Sequence, residues 1–441
     1  MNAPVEPQDV SFAAAFRTFA KIGLLSFGGP AGQIALMHRI LVEEKRWLDE
    51  ARFLHALNYC MLLPGPEAMQ LATYAGWLLH GVRGGLAAGL LFVLPGAAVL
   101  TALSAIYLMV GDVPLVQGLL FGLKAAVLAV VLEALIKVSR RALKGPVMVA
   151  IAVAAFVAIA FLKLPFPLII AAAAAIGAAL HLASGEEVVR PGPELAPVAM
   201  PDWTRPSAQR FATTLAIWLA VWFAPLLALY ILLGGGNVFS QEAAFFSKMA
   251  AVTFGGAYAV LAYVAQQAVE VYGWLRPDEM LTGLGLAETT PGPLILVLVF
   301  VGFLGGARLS GLEWLAGGVA GALVTLWFTF VPCFLWIFVG APYVETLRSV
   351  KWLSAALSAV TAAVVGIIAN LGLWFAIHVL FAEVGEYSAG PLVFPAPDPA
   401  SFDPASAVIA ILAGVALIGF HANMIAVLVV AALAGMVWTL L

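Results

Sequence analysis

Leu63-Pro64-Gly65-Pro66-Glu67 interrupts an apolar run that otherwise extends from Phe53 to Leu79. Proline removes a backbone donor and blocks the preceding turn, while glycine reaches torsions that other residues avoid, so a helix entering Pro64 must stop. Pro66 suits the first position of a new helix. A break of this kind inside a lipid bilayer exposes unpaired backbone groups, which is tolerated only where protein or a watery cavity surrounds them. The stretch therefore points to a broken membrane helix with a binding site at the break.

The same triplet returns in the second half of the chain as Pro291-Gly292-Pro293. The shift that carries Pro64 onto Pro291, applied without a gap, aligns Lys21 with Lys248, Phe27-Gly28-Gly29 with Phe254-Gly255-Gly256, Glu43 with Glu270, and Trp47-Leu48 with Trp274-Leu275. From Phe19 to Pro66 there are 15 identities in 48 positions. Shared leucine and alanine cannot supply matches at Trp, Lys, Phe, Gly and Pro, so the chain reads as two copies of one module.

Composition sets the environment of these copies. Of 441 residues, 63% are hydrophobic and only 10% charged, and the mean hydropathy is +1.04. A soluble protein of this length could not bury so much apolar surface, which makes the chain a polytopic helical membrane protein. The net charge of -3 comes without a long basic run, which argues against nucleic acid as a partner. Cys60 and Cys333 lie in apolar stretches without metal or redox spacing and read as packing residues. The segment through Val10 has acids and no base, and the first apolar run carries Arg17 and Lys21, so that run is expected to be structural rather than a cleaved signal.

Two broken elements open the first copy, Ser11 to Leu41 interrupted at Gly28-Gly29-Pro30, and Phe53 to Leu79 interrupted at Pro64-Gly65-Pro66. Their halves, about 11 to 17 residues each, are too short to span ~30 Å at 1.5 Å per residue. Spans or near-spans follow at Leu86–Met109, Pro114–Ile136, Pro146–Leu162 and Leu164–Leu182, then a polar linker from Ser184 to Arg210. Phe211–Leu233 is a charge-free span with no counterpart in the first copy. After the second pair of broken elements come Leu312–Phe338, Trp352–Phe381, an acidic segment from Ala382 to Asp403, and a tail expected to fold as two helices turning near His421. The domain division is 1–183 for the first repeat, 184–238 for the linker and connecting helix, and 239–441 for the second repeat.

Charge distribution bears on how the broken elements lie. With Lys137, Arg140, Arg141 and Lys144 taken as cytoplasmic, re-entrant hairpins put 15 of the 21 basic residues inside, whereas crossing elements put 12 inside. Hairpins fit better. With hairpins or crossings alike, an odd number of passes separates the copies and turns the second upside down. The fold class is thus all-α, a polytopic membrane protein of two inverted-topology repeats with broken helices, a plan in which secondary transporters place their site at the repeat interface.

Lys21 and Lys248 stand at equivalent positions near the breaks. A lysine at the bilayer centre costs about 2.5 to 3.5 kcal/mol. Each either snorkels or pairs with a carboxylate, or the two face an anion together. Helices restarting after Gly29 and Pro66 would direct unpaired N–H groups and positive dipole ends at such an anion. Gly28, Gly29 and Gly65, with Gly255, Gly256 and Gly292, would admit it closely, while Pro30, Pro64, Pro66, Pro291 and Pro293 set the breaks; the same residues could also serve only tight hairpins or close packing. Glu67 and Glu288 lie beside the triplets and read as proton carriers or salt-bridge partners. Lys124 and Glu133 read as packing or interfacial groups, Asn370 and His378 as helix glue.

These paired Phe-Gly-Gly and Pro-Gly-Pro elements, with Trp47 and Trp274 between them and the run Leu63-Pro64-Gly65-Pro66-Glu67-Ala68-Met69-Gln70-Leu71-Ala72, resemble the long, two-domain chromate ion transporter family. The second copy has Ala257 where the first has Pro30. The resemblance implies a multi-pass carrier of the bacterial inner membrane that exports chromate, driven by the membrane potential or a proton gradient. It implies chromate, or a related oxyanion such as sulfate, as the partner besides the bilayer, leaves protons and a second copy of the chain open as partners, and calls for no cofactor and no metal. The alternative class is a membrane enzyme acting on a lipid-linked substrate. Such a site concentrates His, Asp or Glu at one membrane face, but His38, His55, His80, His181, His378 and His421 are scattered without metal spacing.

Overall fold

The computed structural model describes residues 10–27, 29–184, 202–254, 257–343, 351–390 and 392–440. Gly28, Gly255 and Gly256, three of the predicted site glycines, lie outside the described residues, as does most of the polar linker.

The first broken element forms as expected. Helix α1 (Phe12–Leu25) is opened by Ser11, whose hydroxyl accepts from the Ala14 N–H, and it ends before Ser26. Helix α2 (Gly29–His38) then runs into a π-helical turn over Arg39–Glu44. In the second copy α9 (Val238–Val252) is capped by Asn237, and α10 (Ala257–Ala265) runs into a π-helical turn over Gln266–Val271. The two π turns are related by the shift that relates the triplets, and they share only Val and Glu at their third-last and second-last positions. Their backbones nevertheless repeat bond for bond. Lys45 donates to the Ile40 carbonyl and Tyr272 to that of Gln267, each at 2.9 Å; Trp47 donates to Leu41 at 2.9 Å and Trp274 to Ala268 at 2.8 Å.

Helix α3 (Glu50–Cys60), capped by Asp49, leads into the first triplet, and α4 (Glu67–Val110) leaves it. The expected separation before Leu86 is a kink, with His80 at φ -140° and Gly81 at φ 60°. In the second copy α11 (Pro277–Thr289) leads into the triplet. A short 3₁₀ turn over Leu294–Leu296 continues into α12 (Val297–Leu309) and then α13 (Trp314–Gly340). The remaining helices are α5 (Pro114–Ala142), α6 (Pro146–Ala160), α7 (Phe166–Ser184), α8 (Ala208–Leu233), α14 (Lys351–Leu380), α15 (Pro404–Gly414) and α16 (Met424–Leu440). The tail turns at 420–423 as expected.

Among the described residues six helices are long and apolar enough to cross a membrane, and the chain is an all-α polytopic membrane protein. The apolar window of α8 is only 6% buried within the chain, so its surface is left for lipid. One element departs from the helical reading. In the acidic segment, β1 (Val384–Ala389) pairs antiparallel with β2 (Leu392–Pro397), turning at Gly390, φ 63°. The Val393 N–H donates to the Phe161 carbonyl and Phe394 packs on the Phe161 ring, so this hairpin is tied to the end of α6.

The helices cluster into two compact units that cut across the sequence copies. The first comprises residues 1–101, 187–256 and 290–351, and the second comprises 102–186, 257–289 and 352–441. In the first, α12 packs on α13 with Gly302 and Gly306 against Gly317 and Gly321, small residues that let the two backbones touch. In the second, α5 packs on α16, with Gly118 and Gly122 against Ala431 and Gly435.

Candidate functional site

Both triplets, the described residues of the α1–α2 break and the end of α9 belong to the first unit. The triplets are buried, with Gly65 at φ 118° and Gly292 at φ 95°, in the region that favours glycine. Burial obliges their backbone groups to find partners. The Gly65 N–H donates to the Thr253 carbonyl at 2.8 Å, and the Gly292 N–H to the Ser26 carbonyl at 2.7 Å. Ser26 and Thr253 are themselves equivalent positions of the two copies, so each copy's triplet is tied to the other copy's first break. Even the side chains repeat. Ser26 Oγ donates to the Ile22 carbonyl and Thr253 Oγ1 to that of Met249, both at 2.6 Å. A reciprocal exchange of this kind is what a local two-fold relation produces.

The exchange revises one expectation. Gly65 and Gly292 were expected to admit an anion closely, but the N–H of each is occupied by a carbonyl. Their role here is to brace the breaks, because an unpaired buried carbonyl or amide would cost about 1–3 kcal/mol each. At the α4 start the Gln70 N–H donates to the Pro66 carbonyl at 3.1 Å, and Glu67 stands there, half-buried, as the first residue of the helix. Gly29, at φ 73°, and Pro30 form the first turn of α2.

Two buried amides join the breaks that the sequence reading did not single out. Gln33 Nε2 donates to the Gly292 carbonyl at 2.6 Å and to that of Ser26 at 3.4 Å. Gln70 Nε2 donates to the Pro64 carbonyl at 2.7 Å. The Oε1 atoms of both are buried and without a partner. Their counterparts in the second copy are Val260 and Val297, so both amides come from the first copy. The available signal was a glutamine one or two turns beyond each break in an apolar run.

Lys21 and Lys248 each sit five residues before the braced carbonyl, about 7.5 Å along the helix. Both are exposed, and neither forms an ion pair among the described residues. Lys248 is the sole exposed residue of α9, whose other positions are buried or half-buried.

The second carboxylate lies elsewhere. Glu288 belongs to the second unit, is buried, and accepts from Tyr258 Oη at 2.5 Å, so its partner is a phenol rather than Lys21 or Lys248. In that unit Lys124 pairs with Asp278 at 3.3 Å and Lys137 with Glu133 at 2.6 Å. His378 stacks on Trp374 and contacts its carbonyl through Nδ1 at 2.9 Å, and Asn370 lines a small polar cavity with Lys163 and Glu270. Among the described residues no group of His, Cys, Asp or Glu could hold a metal ion.

Known proteins give this geometry a context. The sequence model of a family described as chromate transporter matches residues 13–178 and 241–436. The chain is 33% identical over 368 residues to a chromate transport protein of Pseudomonas aeruginosa, covering 82% of this chain and 80% of that one. It is 29% identical to a probable chromate transport protein of Synechococcus elongatus, covering 80% of this chain and 81% of the relative. It is 28% identical to a chromate transport protein of Cupriavidus metallidurans, covering 83% and 86%. No solved structure matches the chain.

Proposed function

The chain belongs to the chromate transporter family, and we propose that it exports chromate across a bacterial inner membrane, driven by the membrane potential or a proton gradient. The observation that carries this reading is the pair of equivalent lysines beside two buried, mutually braced helix breaks. Lys21 and Lys248 supply charge, and the starts of α2 and α4 supply donors and positive dipole ends, a combination suited to a tetrahedral dianion. In this reading the copies 1–183 and 239–441 are inverted repeats joined through the linker and α8. Sulfate has the same shape and charge as chromate, and the charge at the site favours neither. Uptake of labelled chromate into everted vesicles tests the reading, with sulfate as competitor. Uptake that chromate itself fails to saturate would overturn it.

The inverted plan with re-entrant hairpins makes a prediction about sidedness. Positions 46 and 141 are expected on the same, cytoplasmic, face, because the hairpin arrangement gives the stronger positive-inside bias. Single cysteines there should both resist an impermeant thiol reagent in intact cells and both react in everted vesicles. Labelling of position 46 alone in intact cells would show that the first broken elements cross.

Proton coupling is assigned in this reading to Glu67 and Glu288. Glu67 stands at the helix start where an anion would bind, and direct contact of a carboxylate with chromate is repulsive, so it is expected to act on coupling rather than affinity. In Glu67→Gln, transport should lose its pH dependence while unlabelled chromate still competes. An unaltered pH profile would leave Glu67 a structural group at the head of α4.

A further inference from the structure

Helix α9 contains a carboxyl group that none of the foregoing uses. Glu242 is fully buried, at 0% exposure, and neither carboxylate oxygen has a hydrogen-bond partner. An ionised carboxylate in such a place lacks both water and a counter-charge, and the cost of keeping it charged far exceeds that of taking up a proton. The helices packed against α9 are α8, α12 and α13. Their titratable groups are Arg210 and Tyr230 on α8, Arg308 on α12 and the Cys333 thiol on α13. None of these hydrogen-bonds to Glu242. Lys248, on α9 itself, is exposed and makes no ion pair with it.

Three further unsatisfied polar groups lie on α9 and on α13, the helix packed against it. Ser240 on α9 and Thr325 and Thr329 on α13 are buried, and the hydroxyl of each has no hydrogen-bond partner. A hydroxyl can both donate and accept, and its proton rotates, which is what relaying a proton requires. Four hydrogen-bond-deficient groups on two packed helices are unusual in a native interior, where nearly all buried polar atoms are satisfied. The carboxyl also belongs to one copy alone, since the equivalent position of the first copy is Ala15. The lysines at 21 and 248 are duplicated, whereas the carboxyl of Glu242 is not.

We propose that Glu242 is a proton-binding site of the carrier, neutral in the state described here and releasing its proton when α9 moves relative to α13 during transport. This rests on the transport reading above and adds to Glu67 and Glu288 a third carboxyl. Glu67 acts beside the anion, whereas Glu242 stores the proton away from it.

Two measurements on the full-length protein in vesicles test the proposal. Infrared titration should show a protonated carboxyl at neutral pH that disappears in Glu242→Gln. Chromate accumulation driven by a pH gradient should fall at least tenfold in Glu242→Gln, with a flat pH profile, and Glu242→Asp should recover the pH dependence. A carboxyl band in Glu242→Gln undiminished from that of the wild type, or a wild-type pH profile in that variant, would overturn the proposal. If wild-type vesicles accumulate no chromate the transport reading fails on its own account, and the infrared band still decides whether Glu242 carries a proton.

Discussion

Lys21→Ala and Lys248→Ala should each lose more than tenfold in chromate affinity while still reaching the membrane. A hydrogen bond to a charged group contributes about 1.5 to 3 kcal/mol, and about 1.4 kcal/mol is a factor of ten. Two features make the expectation specific. The lysines stand at the same offset from the braced carbonyls of Ser26 and Thr253, so the losses should be similar. Neither has an ion-pair partner among the described residues, so truncation strands no buried carboxylate and the loss reports on the transported anion rather than on folding. Lys21→Arg, which keeps the charge but alters the donor geometry, should recover part of the affinity. The measurement is the concentration dependence of labelled chromate uptake in everted vesicles. Normal affinity in both alanine variants would make these lysines structural.

What the sequence revealed was local chemistry and its repetition. The triplets announced themselves because proline and glycine act on their own backbone, whatever surrounds them. The duplication was readable because Trp, Lys and Pro recur at one offset. The ends of α8, α13 and α14 followed from apolar length. The partners of Gly65 and Gly292 could not be read in this way, since each donates to a carbonyl supplied by the other copy, and no local rule selects Ser26 or Thr253. The two glycines were consequently read as admitting an anion.

Three further features were hidden for distinct reasons. The π turns at Arg39–Glu44 and Gln266–Val271 share a backbone but few side chains, so the sequence carries no mark of them. The hairpin at Val384–Ala389 and Leu392–Pro397 lies in a segment whose prolines and acids suggest a loop, and its strands are held by each other and by Phe161. Glu242 follows Ser240 and Gln241, which looks like the solvated start of a helix. Its burial comes from α8, α12 and α13, whose arrival at α9 is a tertiary fact. Gln33 and Gln70 are the intermediate case, visible as amides in apolar runs but meaningful only beside the carbonyls they meet.

Gly65→Ala and Gly292→Ala should destabilise the protein more than alanine at buried Gly372, where φ is not positive and an added Cβ would meet nothing closer than 3.8 Å. Each position lies at a positive φ that an L-residue adopts only with strain, of order about 1–3 kcal/mol. Each also lacks room. A Cβ at Gly65 would meet Cys333 Sγ at 2.8 Å and Gln70 Nε2 at 2.9 Å, and one at Gly292 would meet Leu296 Cδ1 at 2.8 Å. At Gly65 the two causes can be separated, because Cys333→Ala removes the sulfur but leaves φ unaltered. Cys333→Ala in the Gly65→Ala background should therefore restore part of the lost stability and never all of it. The Gly65 N–H also braces Thr253, so a shifted triplet should loosen the end of α9, in the other copy of the repeat. Thermal unfolding in detergent measures the first effect, and hydrogen exchange at residues 249–254 the second. Gly65→Ala melting at the wild-type temperature, with exchange at the end of α9 unaltered, would mean that the reciprocal bonds do not hold the breaks together.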